Sequence, residues 1–187
     1  MKTFDALKKL IDVIDDQYIV CNLGQTSKEL YHLKDRPQNF YMMGSNGLSS
    51  SIALGIALAN PKLKIWCIDS GASLLMNLGS LSTISFANPL NLTLIVIDNG
   101  VYESTENQKT HTNHKTKLDA IARATGFESV FVIENREDIV PTFMELSPGS
   151  HFILIKTESE NVDIPNISLS SKNIKTRFME TIAKSNK

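Results

Sequence analysis

Glycines and small polar residues cluster in four short stretches, each of which follows an apolar run. The four stretches are residues 24–26, 44–47, 70–73 and 99–105. Two of them lead into helical patterns that begin near Leu48 and Ala72. Free backbone N–H groups at the N-terminus of a helix bind phosphates and other anions. These residue types therefore indicate a site for a phosphate-bearing ligand.

The elements around these stretches predict a parallel sheet. Short apolar runs, typical of strands buried on both faces, alternate with helical patterns along the chain. The predicted strands are residues 18–21, 40–43, 65–68, 92–97, 130–133 and 152–155. The predicted helices are residues 4–14, 26–33, 48–60, 74–86, 118–125 and 138–146. We therefore expect a three-layer α/β/α domain with a mainly parallel sheet of about six strands.

This architecture places the four polar stretches at the same edge of the predicted sheet. Ligands of such sheets bind outside the carboxyl ends of the strands, and each of the four stretches follows a predicted strand. We expect residues 1–187 to form one domain. Its polar tail, residues 158–187, ends in a helix, because Ile174, Phe178 and Ile182 recur every four residues.

Composition excludes several classes of function. The 187 residues are 42% hydrophobic, and 19 Lys and Arg balance 20 Asp and Glu to a formal charge of −1. This balance gives no reason to expect nucleic acid or an anionic membrane as partner. The charged N-terminus does not resemble a signal peptide, and no apolar run reaches the length of a membrane span. Cys21 and Cys67 lie in apolar strands, which favours buried thiols and a cytoplasmic protein.

Several segments occur together in an order and spacing that are typical of one family. They are LGQTSKELY at 23–31, NFYMMGSNG at 39–47, LLMNLG at 74–79 and DNGVYES at 98–104. In these segments the chain resembles the thiamine-diphosphate-dependent 2-oxo-acid decarboxylases over residues 4–155. It is most similar to the branch of phosphonopyruvate decarboxylases and sulfopyruvate decarboxylase beta subunits. In the family, the strand that ends here at Ser70-Gly71-Ala72 ends in Gly-Asp-Gly, and the next ends in Asn-Asn or Asp-Asn.

The resemblance implies a pyrophosphate-binding domain that exists as a separate small subunit. The pyrimidine ring of thiamine diphosphate and the Glu that activates it would belong to an alpha-type partner subunit, so no catalytic residue is expected in this chain. A homodimer or a heterotetramer is expected, since the family pairs its domains across two-fold interfaces. The substrate would be phosphonopyruvate, sulfopyruvate or a similar anionic 2-keto acid.

By position, the resemblance also implies the residues of a cofactor site. The implied cofactor contacts are Gln25, Thr26, Gly44, Ser45, Asn46, Gly71, Ala72, Ser73, Asn99, Val101 and Tyr102. Mg²⁺ would be bound by the side-chain oxygen of Asn99 and the backbone carbonyl of Val101. Glu103 has two open interpretations, because it could act beside the substrate or hold its loop by hydrogen bonding.

Three departures from the family pattern fall on these functional positions. Gly71 replaces the metal-binding Asp, and Asn46 replaces a Met that wedges between the rings of the cofactor. The family's Gly-Gly-Gln-Pro-Thr appears as Glu106-Asn107-Gln108-Lys109-Thr110. One hypothesis is therefore a decarboxylase subunit with a degenerate metal site. The alternatives are a non-catalytic structural or regulatory subunit, and a pocket for another phosphate-bearing ligand.

Overall fold

The computed structural model describes residues 1–160 and 162–185. Its strands are β1 (Tyr18–Cys21), β2 (Asn39–Tyr41), β3 (Ile65–Ser70), β4 (Leu92–Asp98), β5 (Val101–Tyr102), β6 (Gln108–Lys109), β7 (Ser129–Ile133) and β8 (His151–Lys156). Six of them form one sheet in the order β2-β1-β3-β4-β8-β7, and all neighbours in it are parallel. The predicted parallel sheet of six strands is confirmed.

Helices cover both faces of this sheet. They are α1 (Thr3–Leu10), α2 (Gln25–Lys34), α3 (Ser49–Ala59), α4 (Gly71–Leu75), α5 (Gly79–Ala87), α6 (Leu118–Ala124), α7 (Ile139–Met144) and α8 (Ser171–Ser185). Side chains of α3, α5 and α6 pack on one face, and those of α1, α2 and α7 pack on the other. Helix α8 contributes side chains to both clusters. The three-layer prediction is therefore confirmed.

The strands are buried on both faces, which explains their unbroken apolar sequences. In β1, Tyr18 and Val20 belong to the apolar cluster on one face, whereas Ile19 and Cys21 belong to the cluster on the other. Successive side chains of a strand point to opposite faces, so a strand covered twice cannot alternate between apolar and polar residues.

The single helix predicted for residues 74–86 is wrong, because α4 and α5 are separate helices with a break between them. Asn77 lies in the break, and its Nδ2 donates a hydrogen bond to the carbonyl of Gly47 at 2.8 Å. Gly47 has φ +82°, and a Cβ on it would lie 2.9 Å from Asn77 Cβ. The contact between these two segments interrupts a helix that the apolar spacing alone predicted to continue.

The polar segment after β4, residues 99–116, has more structure than its composition suggested, and we call it the cavity loop. Strands β5 and β6 pair in it as an antiparallel hairpin. Glu106 and Asn107 make the turn of this hairpin with left-handed φ values of 54° and 59°. The family has glycines at these two positions, and glycine is the residue that adopts this conformation without steric cost.

The C-terminal helix α8 packs on the body of the fold. Its Phe178 is buried in the core and contacts the rings of Tyr18 and Phe40. Arg177 pairs with Asp35 at 2.6 Å. Among the described residues, no helix combines the length and apolarity that crossing a membrane would require.

Candidate functional site

A cavity of about 280 Å³ lies at the carboxyl ends of β1, β3 and β4. It is lined by eight of the residues that the sequence assigned to a cofactor site: Gln25, Thr26, Asn46, Ala72, Ser73, Asn99, Val101 and Tyr102. Glu103 lines it as well. The topology brings these residues together because the loops that follow parallel strands meet at one edge of the sheet.

Three of the assigned residues do not line the cavity. Gly44 and Ser45 are exposed beyond its rim, and the peptide bond between them is cis. Gly71 is buried behind the lining residues. The Gly47 N–H donates to Ser73 Oγ at 2.8 Å, which ties the loop after β2 to α4.

Helix α2 begins at the cavity wall, after Gly24 with φ +94°. The side-chain amide of Gln25 donates to Glu29 Oε1 at 3.1 Å and to the carbonyl of Val162 at 3.0 Å. Because both bonds use its Nε2, the amide hydrogens of Gln25 are turned away from a ligand in the cavity. The unpaired backbone N–H groups of the first turn of α2 remain as anion donors there.

Lys28 also lines the cavity, and the sequence analysis did not identify it. It is the one lysine or arginine among the lining residues that the structure describes. The sequence could have indicated Lys28, because it lies in the first turn of a predicted helix that follows Gly24. The residue is partly buried, and an ammonium group near the backbone N–H donors of α2 would suit an anionic ligand.

Glu29 lies behind Gln25 and is almost fully buried. Burial raises the pKa of Glu29 to about 7, although the hydrogen bond from Gln25 acts in the opposite direction. Its Oε2 has no hydrogen-bond partner among the described residues. Part of the Glu29 population is therefore protonated at neutral pH, which limits the negative charge behind the cavity.

Asn99 is fixed by two hydrogen bonds. Its Oδ1 accepts from the N–H of Val101 at 3.2 Å, and its Nδ2 donates to Glu103 Oε1 at 2.7 Å. Burial raises the pKa of Glu103, against the hydrogen bond from Asn99 that lowers it. The contact shows Glu103 bound to its own loop, as one of its two interpretations expected.

Position 71 is closed to a side chain by Asp98. A Cβ on Gly71 would lie nearest to Asp98 Oδ1, 2.8 Å from its Cγ and 3.0 Å from its Cβ. Asp69 does not replace the missing ligand, since it is fully buried in β3 and does not line the cavity. Burial also raises the pKa of Asp69, and its Oδ2 has no partner in the described part of the chain.

These observations fit a diphosphate group better than a metal. The cavity offers an ammonium group, backbone N–H donors and small polar side chains, which suit the diphosphate of thiamine diphosphate. Within residues 1–160 and 162–185, no three His, Cys, Asp or Glu side chains converge as a metal site. The residues present therefore do not fit a Mg²⁺ ion bound by a carboxylate at position 71.

Comparisons with known proteins identify the family of the chain. The family description of the C-terminal TPP binding domain of thiamine pyrophosphate enzymes matches residues 22–157. The chain is 44% identical to the sulfopyruvate decarboxylase subunit beta of Methanocaldococcus jannaschii over 98% of both chains. It is 38% identical to the sulfopyruvate decarboxylase of Methanosarcina acetivorans, over 95% of this chain and 46% of that protein.

A solved structure has the same fold. It comes from Mycobacterium smegmatis and is assigned to the thiamin diphosphate-dependent enzymes. It matches 85% of this chain and 32% of its own, with a TM-score of 0.69 at 17% identity. The family match covers β3, β4 and the loops that follow β1, β3 and β4 at the cavity. The chain belongs to the thiamine pyrophosphate enzymes through their C-terminal TPP-binding domain.

Proposed function

We propose that this chain is the beta-type subunit of a cytoplasmic, thiamine-diphosphate-dependent decarboxylase of sulfopyruvate-like or phosphonopyruvate-like 2-keto acids. The observation that carries the proposal is the cavity, which gathers eight of the residues expected at the cofactor. Relatives named sulfopyruvate decarboxylase subunit beta match nearly the whole chain, and those named phosphonopyruvate decarboxylase match most of it.

The role of this chain is to bind and orient the diphosphate end of the cofactor. Lys28 supplies positive charge, and the first turn of α2 supplies N–H donors. On the opposite wall, Ser73 accepts a hydrogen bond from the loop after β2, and Asn99 donates one to Glu103 within the cavity loop. When bound, the cofactor would supply the electron sink for loss of carbon dioxide.

A partner subunit would supply the pyrimidine side of the site. The Methanosarcina acetivorans relative is a single chain, and this chain matches less than half of it. Met43, Leu48 and Met76 are large apolar side chains that stay exposed beside the cavity. The contacts of Gly47 with Ser73 and Asn77 join the two segments that carry these side chains, and exposed apolar side chains on joined segments suit a partner domain. The partner is an alpha-type subunit, with a second copy of this chain in the assembly.

A second candidate function is a non-catalytic structural or regulatory subunit. The specific observation in its favour is Asp98 against Gly71, which leaves a Mg²⁺ ion without its usual carboxylate. The two functions differ in cofactor binding, because a non-catalytic subunit gains no thermal stability from thiamine diphosphate.

Co-expression with the pyrimidine-binding subunit of the same organism tests the proposal. With thiamine diphosphate and Mg²⁺ present, the purified complex should release carbon dioxide and an aldehyde from sulfopyruvate or phosphonopyruvate. Pyruvate serves as the control substrate without the second anionic group. An inactive complex that also shows no cofactor-dependent thermal shift would establish the non-catalytic alternative instead.

A further inference from the structure

Asp98, the last residue of β4, is a buried carboxylate outside the cavity with three hydrogen-bond donors around it. Its Oδ2 accepts from Lys156 Nζ at 2.5 Å. Its Oδ1 accepts from Thr112 Oγ1 at 2.7 Å and from the N–H of Gly100 at 3.2 Å. Asp98 therefore connects β4 with β8 and with both ends of the cavity loop.

These bonds close the cavity loop at its base. Thr112 Oγ1 is also within 2.6 Å of Thr110 Oγ1, and the N–H of Thr110 donates to the carbonyl of Gly100 at 2.9 Å. The enclosed part of the loop carries residues 101–103, which line the cavity. The position of these lining residues thus depends on the bonds that Asp98 makes.

Asp98 also fills the space that a side chain on residue 71 would occupy. The three atoms nearest to a Cβ on Gly71 all belong to Asp98. Gly71 is not among the glycines with positive φ, so its backbone conformation suits any residue. Because Gly71 begins α4, alanine there should otherwise favour the helix. The obstacle at position 71 is the Asp98 carboxylate rather than the backbone.

We propose that Asp98 is a positioning residue that holds the cavity loop through its hydrogen bonds. Its carboxylate occupies the space that a side chain at position 71 would need. A carboxylate at position 71 and the bonded position of Asp98 then exclude each other in this chain. In this chain Gly71 leaves room for the bonded position of Asp98, and Gly71→Asp alone would not restore a metal ligand there. The proposal holds whether or not the assembled protein is catalytic.

Thermal unfolding of two matched variants tests the packing. Gly71→Ala should lower Tm by about 5 °C, since overpacking a filled site is destabilising. The control is Gly79→Ala, because Gly79 begins α5 and a Cβ on it has nothing within 4 Å. The control should change Tm by about 1 °C or less. Equal shifts in the two variants would overturn the proposal.

Combining Gly71→Ala with a shorter side chain at position 98 tests whether Asp98 causes the loss of stability. In Asp98→Ala, or in Asp98→Ser where the alanine variant does not fold, Gly71→Ala should lower Tm by less than half as much. Gly71→Asp should behave in the same way, with a large loss alone and a smaller one in the shortened background. If the decrease in Tm is as large in the shortened background as in the wild type, Asp98 is not what excludes a side chain at position 71.

Hydrogen exchange separates positioning of the loop from general stability. In Asp98→Ala, amides of the cavity loop should exchange at least about tenfold faster at a temperature far below Tm, while those of β1 keep their rates. Asp98→Asn should restore most of this protection, because its amide oxygen still accepts from Thr112 and Gly100. Unchanged loop exchange in Asp98→Ala would refute the fastening role.

Discussion

The side chain of Asp98 fills the space beside Gly71, at the point where β3 and β4 end next to the cavity. A Cβ at position 71 would lie 2.8 Å from Asp98 Cγ. Position 71 therefore lacks the Asp that the resemblance led us to expect, and the space for its side chain is filled by the hydrogen-bonded carboxylate of Asp98. Gly71 and Asp98 therefore have to be considered as a pair in any account of position 71.

Lys156→Met should destabilise the protein by about 2 kcal/mol. The substitution leaves the Asp98 carboxylate buried without its charged partner, and such losses are costly when the pair is buried. Lys156 itself is partly exposed, so we expect less than the full cost of a buried pair. Urea unfolding measures the change.

Lys64→Met is the matched control for this variant. It breaks the Lys64–Asp16 pair, in which both side chains are exposed. Exposed pairs contribute about 0–1 kcal/mol. A loss in Lys156→Met no larger than in Lys64→Met would contradict the role of the buried pair.

Glu29→Gln should stabilise the protein at alkaline pH and leave it unchanged near pH 4. Burial raises the pKa of Glu29 from 4.5 to about 7. The folded state therefore holds a proton that the unfolded state has lost, and stability falls as the pH rises from about 4.5 to about 7. The full contribution is on the order of 3 kcal/mol.

Unfolding free energies of wild type and Glu29→Gln between pH 4 and pH 8 measure this contribution. The difference should grow with pH and level off above about pH 7. Parallel curves would show that Glu29 does not hold a proton in the folded state.

Glu106→Gly should raise the unfolding free energy by about 0.5–1 kcal/mol. Glu106 has φ 54°, where a side chain with a Cβ costs about 1–2 kcal/mol and glycine does not. The greater backbone freedom of glycine in the unfolded chain offsets part of the gain. The comparison is Asn107→Gly at φ 59°, which should gain less because Asn tolerates this conformation. A loss of stability in Glu106→Gly would argue against the turn.

The double variant Met43→Ser and Met76→Ser should weaken association with the partner subunit without unfolding the chain. Both side chains are exposed, at 68% and 55%, and they lie in the segments joined by Gly47 and Asn77. Met144→Ser is the control, since Met144 is 75% exposed and lies in α7 on the α1 side of the sheet. Sedimentation of the co-expressed subunits measures the effect. If the double variant associates as strongly as the Met144→Ser control, the interface lies elsewhere.

Much of the fold was predictable because the sheet is buried on both faces. Apolar runs such as that of β4 and small residues such as those of α3 report local burial directly. The break between α4 and α5 was not predictable, because it depends on Asn77 meeting Gly47, a residue 30 positions away. The hairpin in the cavity loop was missed because each of its strands has only two residues, partly buried in β5 and exposed in β6, which is too short for a periodic apolar pattern.

The sequence predicted many residues that line the cavity, but it did not predict which of them contact each other. Family resemblance gave Asn99 and Ser73, and both line the cavity. Lys28 was missed because a lysine on a helix is usually solvated, and only the fold places it beside the loops after β3 and β4. The relation of Gly71 to Asp98 joins residues 27 positions apart, so no local pattern reports it.

The most direct test of the account is a calorimetric titration of thiamine diphosphate into this chain assembled with its pyrimidine-binding partner. The account predicts saturable binding that Lys28→Gln weakens by about tenfold or more, the loss of one charged hydrogen bond. Lys175→Gln, an exposed lysine of α8, should bind like the wild type. Absence of heat at millimolar cofactor, or equal affinity of wild type and Lys28→Gln, would contradict a cofactor site built around this cavity.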